Sequence, residues 1–258
     1  MGIDYTSVTE MAGDEVSGEQ LERLCHRYYW SGEYCQGREV LEVACGTGPG
    51  LGYLAKRSKS LCAGDYTRSI LAVTRKHYGN RIPLLQFDAQ EMPFEDASME
   101  VIIIFEAIYY ISNIGRFVAD CRRVLRPGGQ IIIATANKDL FDFNPSPFSC
   151  EYLGVIELGE VFSIHNFSAE YFGYLSVKDV SWRQRVLRPI KKMAIALRLI
   201  PKTTHGKKWL KKIIFGNLTY MPAEVEDDAM KYQEPVSLPA GQADTEHKVI
   251  YCVATIND

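Results

Sequence analysis

From Glu39 to Thr135, short apolar runs rich in β-branched residues alternate with stretches of helical periodicity, and this alternation constrains the fold most tightly. The runs are Val40–Ala44, Leu61–Gly64, Ile82–Phe87, Val101–Phe105 and Gln130–Thr135, with helical spacing at Gly50–Ser58, Ser69–Tyr78 and Ile114–Leu125. Most runs are apolar at consecutive positions, the pattern of parallel strands covered on both faces. A β–α rhythm of this length predicts an α/β fold with a doubly wound, mostly parallel sheet.

Ahead of the rhythm, Leu21, Leu24, Cys25, Tyr28 and Tyr29 follow i, i+3, i+4 spacing and predict a helix over 18–35. After Thr135 the rhythm stops. Asn144-Pro145-Ser146-Pro147 reads as a loop, Glu151–Phe162 as a helix, and Asn166–Leu175 and His247–Ile256 as strands. The interval between those two strands far exceeds a hairpin connection of about 2–5 residues, so it predicts an inserted helical cap. The expected divisions are an N-terminal helical segment at 1–38, a ligand-binding α/β core at 39–175, a cap that recognises substrate at 176–245 and a final core strand at 246–258.

Charge narrows the partners. With 29 Lys+Arg against 32 Asp+Glu the net charge is −3, which gives no field for nucleic acid. The seven cysteines contain no CxxC pair and the first twenty residues are polar and acidic, without signal-peptide character, so reduced thiols and a cytoplasmic location are expected. Gly2 and Thr6 fit a myristoylation pattern, and Asn166 and Asn217 open glycosylation triplets; all three are read as chance matches. No apolar run approaches the ~20 residues of a membrane span, so no stable membrane insertion is expected. Between Val180 and Ala223 lie eleven Lys/Arg and no acid, followed by eight acids against two Lys in 224–258. This basic segment, 183–212, fits a lid that attracts an anionic compound, an interfacial helix on anionic lipid, or a solvated face neutralised by the acids after it.

The chemistry concentrates in Val40-Leu-Glu-Val-Ala-Cys-Gly-Thr-Gly-Pro-Gly50. Gly46 and Gly48 let the backbone turn sharply and a ligand approach closely, and a following helix would turn free N–H groups toward it. Neither glycine frame completes the dinucleotide pattern Gly-x-Gly-x-x-Gly, since the third position falls on Leu51 or Tyr53. The competing reading is a nucleoside held without a pyrophosphate, with Glu42 meeting the ammonium of an amino-acid tail. Asp65, nineteen residues after Gly46, is placed to accept both ribose hydroxyls, and Asp88 an exocyclic adenine amine with Ala89 leaving room for the ring. Acids at three successive strand ends line the carboxyl edge, where such sheets bind ligands.

Glu42–Gly48 (EVACGTG), Asp65 in Ala63-Gly-Asp-Tyr66, Asp88-Ala89, Phe105–Ile111 (FEAIYYI) and Arg126-Pro-Gly-Gly129 together resemble class I S-adenosylmethionine-dependent methyltransferases, in the branch that methylates small molecules. The resemblance covers about residues 25–137. It implies a seven-stranded Rossmann-like sheet with an antiparallel last strand and S-adenosyl-L-methionine as cofactor. It further implies that Glu42, Ala44, Gly46 and Gly48 meet the methionine end, that Asp65 and Tyr66 hold the ribose and flank the adenine, and that Asp88, Ala89 and Gln90 sit at the adenine edge. Phe105 would offer its backbone near the methionine, and Arg27-Tyr28 resembles a short family pattern that closes over the cofactor. Ala44 departs from the family, which often has Gly there.

A sulfonium already activates its methyl group, so a protein mainly aligns the reactants and excludes water. The expected activity is methyl transfer to oxygen or nitrogen of a small metabolite, oxygen slightly favoured, with anionic acceptors suggested by the basic segment. Candidate bases are Glu106, Tyr110 and His165, with Tyr109 beside them. No metal is expected, because the histidines show no ligand spacing. The alternatives are a nicotinamide-dependent reductase on a similar sheet and a non-catalytic cofactor-binding or interaction protein.

Overall fold

The consecutive apolar runs demand cover on both sides, and the chain supplies it with one sheet between two helical layers. The computed structural model describes residues 4–178 and 218–257. In chain order these form β1 (Glu15–Ser17), α1 (Gly18–Cys35), β2 (Glu39–Val43), α2 (Leu51–Ala55), β3 (Ser60–Asp65), α3 (Arg68–Tyr78), β4 (Leu84–Gln86) and β5 (Met99–Phe105). There follow α4 (Ile114–Val124), β6 (Leu125–Ala136), α5 (Val155–Ile164), β7 (Phe167–Ser176), β8 (Leu218–Tyr220), β9 (Val236–Leu238) and β10 (His247–Ile256).

The main sheet has eight strands in the order β4-β3-β2-β5-β6-β10-β7-β9. Strands β4 to β6 are parallel, and β10 runs antiparallel to both β6 and β7. All seven expected strands are therefore present, with the last one antiparallel. The eighth, β9, is a three-residue edge strand paired with β7; Val236-Ser-Leu is too short to stand out as a strand by pattern.

Strand β5 shows why the runs are continuous. Val101, Ile103 and Phe105 pack in one apolar cluster with α1 and α2, while Ile102 and Ile104 join the opposite cluster with α4 and α5. Successive side chains of a strand face opposite ways, so both sets must be apolar when both faces are covered. Helix α1 belongs to this same core through Leu24, Cys25, Tyr28 and Trp30. It starts at a reciprocal cap in which the Ser17 hydroxyl accepts from the Gln20 N–H and the Gln20 side chain accepts from the Ser17 N–H.

Of the expected cap at 176–245, residues 179–217 lie outside the described residues, and with them the whole basic segment 183–212. The described part braces the core. Strand β8 pairs with β1, the Val225 N–H donates to the Pro49 carbonyl at 2.6 Å, and Glu224 and Asp227 form ion pairs with Arg81 and Arg57. Among the described residues no helix is long and apolar enough to cross a membrane.

Candidate active site

The turn after β2 is the foundation of the site. Ala44, Gly46 and Gly48 all have positive φ, at 54°, 58° and 72°. The turn is fixed from α3: Thr74 Oγ1 donates to the Gly46 carbonyl at 2.8 Å and Tyr78 Oη to the Gly48 carbonyl at 2.6 Å. Helix α2 is five residues long rather than the nine expected from Gly50–Ser58. The cradle is therefore made by the left-handed turn and by carboxylates, with little help from a helix terminus. Ala44 carries a Cβ where glycine is strain-free, and a left-handed L-residue costs about 1–2 kcal/mol, partly offset by the chain entropy that glycine adds when unfolded. Ala44→Gly is expected to stabilise the protein by about 0.5–1 kcal/mol, seen as a higher denaturant midpoint at constant slope; a lower midpoint would refute the strain argument.

Above the turn lies a cleft of about 550 Å³ at the carboxyl edge of the sheet. Of the residues expected to hold cofactor, Tyr28, Glu42, Ala44, Gly46, Asp65, Tyr66, Asp88, Ala89, Gln90 and Phe105 line it. Gly48 does not. It shapes the turn from behind, where a Cβ would meet Leu51 at 2.6 Å and Thr74 at 2.9 Å.

The carboxylates differ in surroundings. Glu42 is 2% exposed, and burial pushes its carboxyl up to about 7 against the opposing effects of the Tyr28 hydroxyl and the Arg27 charge. Its Oε1 accepts from Tyr28 Oη at 2.7 Å, while Oε2 is buried with no hydrogen-bond partner among the described residues. Asp65 accepts from the Gly46 N–H at 3.0 Å and the Thr67 N–H at 2.8 Å, tying β3 to the glycine turn. Each of its oxygens keeps a second acceptor site. Asp88 Oδ1 accepts from the backbone and side-chain N–H groups of Gln90, whose Oε1 accepts in turn from the Asn113 N–H at the start of α4.

Residues 5–10 form a wall that has no periodic signal in the sequence. Tyr5 lies 5.1 Å from Tyr110 and 6.5 Å from Tyr66 between ring centroids. Thr47 Oγ1 donates to the Glu10 carbonyl at 2.9 Å, and Arg27 pairs with the Glu10 carboxylate at 3.2 Å. Locally this stretch is one short 3-10 turn over Tyr5–Val8, capped by Asp4 and closed by Thr9 Oγ1 donating to the Tyr5 carbonyl, and its docking on the cleft comes from contacts with residues far along the chain, which local sequence could not reveal.

The three candidate bases separate. Glu106 lines the cleft at the end of β5, in a left-handed conformation at φ 49°, and pairs with Arg23 at 2.6 Å. Tyr110 also lines it, hydrogen-bonded to Ser146 at 2.5 Å, and burial raises its hydroxyl so that it is a neutral phenol near pH 7. His165 stands outside the cleft. It ends α5 just before β7 begins, and Arg122 donates to its carbonyl at 3.2 Å. Because β7 runs parallel to β6, its start lies at the sheet edge opposite the cleft, and the loop position that made His165 attractive is on the wrong side.

Residues 41–133 match the model of a family described as a methyltransferase domain. That segment contains the glycine turn, all three acids and Glu106. In that segment the chain resembles class I S-adenosylmethionine-dependent methyltransferase domains. A relative from Mycolicibacterium smegmatis, named a probable S-adenosylmethionine-dependent methyltransferase, is 33% identical over 153 residues, covering 58% of this chain and 56% of its own. Another from Mycobacterium ulcerans, named phthiotriol/phenolphthiotriol dimycocerosates methyltransferase 1, is 34% identical over 123 residues, covering 46% and 45%. The chain thus spans about half the length of the curated relatives it matches. In fold it resembles the crystal structure of a SAM-dependent methyltransferase from Archaeoglobus fulgidus, with TM-score 0.57, 14% identity and coverage of 91% of this chain and 93% of that one.

The cleft suits S-adenosyl-L-methionine on its own chemistry. Glu10, Glu42, Asp65, Asp88 and Glu106 line it against two guanidiniums, Arg23 and Arg27, a balance that favours a ligand carrying a sulfonium and an ammonium. The partnerless Glu42 Oε2 is an acceptor waiting for a donor, since buried polar atoms are otherwise almost always paired.

Proposed function

We propose that this chain transfers a methyl group from S-adenosyl-L-methionine to an oxygen or nitrogen of a small-molecule acceptor that enters beside Glu106, Tyr109 and Tyr110. The single observation behind this reading is the acidic, glycine-floored cleft at the carboxyl edge of β2 to β5. Its carboxylates suit the cationic cofactor, and its tyrosines leave a mouth for a second molecule.

When bound, the cofactor supplies an activated methyl group, and the protein's share is alignment and exclusion of water. Glu42 would hold the ammonium, Asp65 the ribose hydroxyls and Asp88 the adenine amine, and Tyr66, Ala89, Gly46 and Phe105 line the same cleft. Glu106, ion-paired to Arg23, would accept a hydrogen bond from the acceptor's O–H or N–H, orient it, and take up the proton that its oxygen or nitrogen gives up. Tyr110, as a neutral phenol, donates rather than abstracts a proton.

Both guanidiniums already face carboxylates, Arg23 with Glu106 and Arg27 with Glu10. This favours a neutral acceptor over the anionic one suggested by the basic segment. One matching relative is named for phthiotriol and phenolphthiotriol dimycocerosates, so acceptors should be sought among lipids as well as soluble metabolites. The test is calorimetry with S-adenosylhomocysteine, followed by a screen for methyl transfer to both kinds of acceptor. Micromolar binding with turnover supports the reading. Tight binding of a nicotinamide dinucleotide instead would support the reductase alternative, and cofactor binding without turnover on any acceptor the non-catalytic one.

Glu42 sets a pH dependence. Its carboxyl is raised by burial from 4.5 to about 7, so the folded protein holds a proton that the unfolded chain has released. The stability it contributes is complete below about pH 4.5 and is lost as pH rises through about 7. Cofactor binding runs the other way, because an ammonium needs the carboxylate. Affinity for S-adenosylhomocysteine is expected to rise from pH 5.5 to 7 and then level off, with Glu42→Gln flattening the profile. A profile equally steep in that variant would remove Glu42 from the site.

A further inference from the structure

The end of the cleft around Glu106 is walled by rings. Tyr66, Tyr5, Tyr110 and Tyr109 line it as a chain, with successive ring centroids 6.5, 5.1 and 4.7 Å apart. Tyr109 is 7% exposed; its ring stacks on Tyr152 at 4.2 Å, and Phe143 backs Tyr152 at 4.7 Å. The loop after β6 fixes this platform, since the Cys150 N–H donates to the Tyr109 carbonyl at 2.7 Å and Ser146 Oγ bonds Tyr110 Oη at 2.5 Å. The polar groups at this end already have partners within the protein. Tyr109 Oη donates to Glu106 Oε2 at 3.3 Å, Arg23 donates to Glu106 Oε1 at 2.6 Å, and Gln20 Oε1 accepts from the Ser17 N–H at 3.1 Å. With their hydroxyls engaged, Tyr109 and Tyr110 present mainly ring surface to a ligand. Each Glu106 oxygen keeps a second acceptor site, enough for one incoming O–H or N–H.

We propose that the methyl acceptor is a neutral aryl alcohol or arylamine, a flat ring that packs against Tyr5, Tyr110 and Tyr109 and turns its one reacting group to Glu106. This rests on the methyl-transfer reading above and narrows its substrate class. Neighbouring rings of the wall are tilted to one another by 75°, 50° and 63°, so a guest lying flat on one ring meets the edge of the next, the two arrangements that aromatic pairs prefer. A polyol would find few vacant partners here, and an alkyl chain would make no use of the tilted ring faces. In the transfer, the acceptor's oxygen or nitrogen forms a bond to the methyl carbon as the carbon–sulfur bond breaks and its electron pair returns to sulfur. The proton that the acceptor gives up passes to the Glu106 carboxylate. Tyr5 and Tyr110 are then the residues that determine specificity.

The test uses three neutral alcohols with the same carbon count: p-cresol with a flat ring, 4-methylcyclohexanol with a saturated one and 1-heptanol with none. Each is titrated by ligand-detected magnetic resonance into the full chain saturated with S-adenosylhomocysteine, and methyl transfer from S-adenosyl-L-methionine is followed by mass. p-Cresol should bind about 3- to 10-fold more tightly than either of the others, the margin that ring–ring packing adds to burial, and should be the one methylated. Tyr110→Leu and Tyr5→Leu keep apolar bulk but remove the ring, and each should cut that ratio below about 2-fold, whereas Tyr110→Phe should preserve it. Because a ratio is read, a general loss of affinity does not imitate the effect, and S-adenosylhomocysteine binding by Tyr110→Leu shows that the variant is folded. Equal affinity for the three alcohols, preference for a non-aromatic one, binding of none of them, or an unchanged ratio in either leucine variant would overturn the proposal. Wild-type protein that does not bind S-adenosylhomocysteine would instead overturn the cofactor reading itself.

Discussion

Asp65→Ala is expected to lose both cofactor and stability. The carboxylate accepts from the N–H groups of Gly46 and Thr67, and removing it leaves two donors in the strand-to-turn junction without an acceptor. At about 1–3 kcal/mol for each unsatisfied buried group, less what water in the cleft restores at Gly46, the unfolding free energy should fall by about 2–4 kcal/mol. Affinity for S-adenosylhomocysteine should fall on the order of 10- to 100-fold, because a charged acceptor for the ribose hydroxyls has gone and the turn beneath it has loosened. Asp65→Asn separates the two effects. It keeps one acceptor oxygen, so it should lose less stability than the alanine variant while still losing most of the affinity. Denaturant midpoints and calorimetry read both quantities. An unchanged dissociation constant in either variant would remove Asp65 from the ribose.

Gly50→Ala is the second large effect, and its target is a packing contact. A Cβ on Gly50 would come within 2.0 Å of the Tyr28 ring, and Tyr28 is 1% exposed between α1 and β5, with its ring 5.2 Å from that of Phe105. A fully enclosed ring cannot swing aside as an exposed lysine would. Overpacking of this kind costs about 1–3 kcal/mol. Displacing Tyr28 also breaks its hydrogen bond to Glu42, worth about 1.5–3 kcal/mol because the acceptor is a carboxylate. The variant should therefore lose about 3–5 kcal/mol and bind cofactor poorly even where it folds. Thermal unfolding followed by calorimetry below the midpoint checks both. A stability loss under about 1 kcal/mol would mean that Tyr28 is not locked against the turn.

Much of this fold is legible residue by residue. The unbroken run Val101–Phe105 forces a strand covered on both faces, and Ser17 with Gln20 starts α1 where the periodicity begins. Glu42, Asp65 and Asp88 are readable as a set because parallel strands deliver their carboxyl ends to one rim, so spacing along the chain becomes proximity in space. His165 fails under the same logic. A histidine in a loop is equally visible at either edge of a sheet, and only strand direction says which edge it occupies.

What the sequence determined by itself is whatever follows from short-range periodicity and strand polarity: the doubly wound sheet, the glycine turn and the row of acids. Tertiary structure alone decided which polar groups find partners. Glu10 and Arg27 are seventeen positions apart and Arg23 and Glu106 eighty-three, and no local pattern encodes either pair. It also decided that Gly50 makes room for Tyr28 and that residues 5–10 wall the cleft. Those contacts depend on where whole elements dock, which is set by the sum of many small burial energies across the core rather than by any stretch of neighbouring residues.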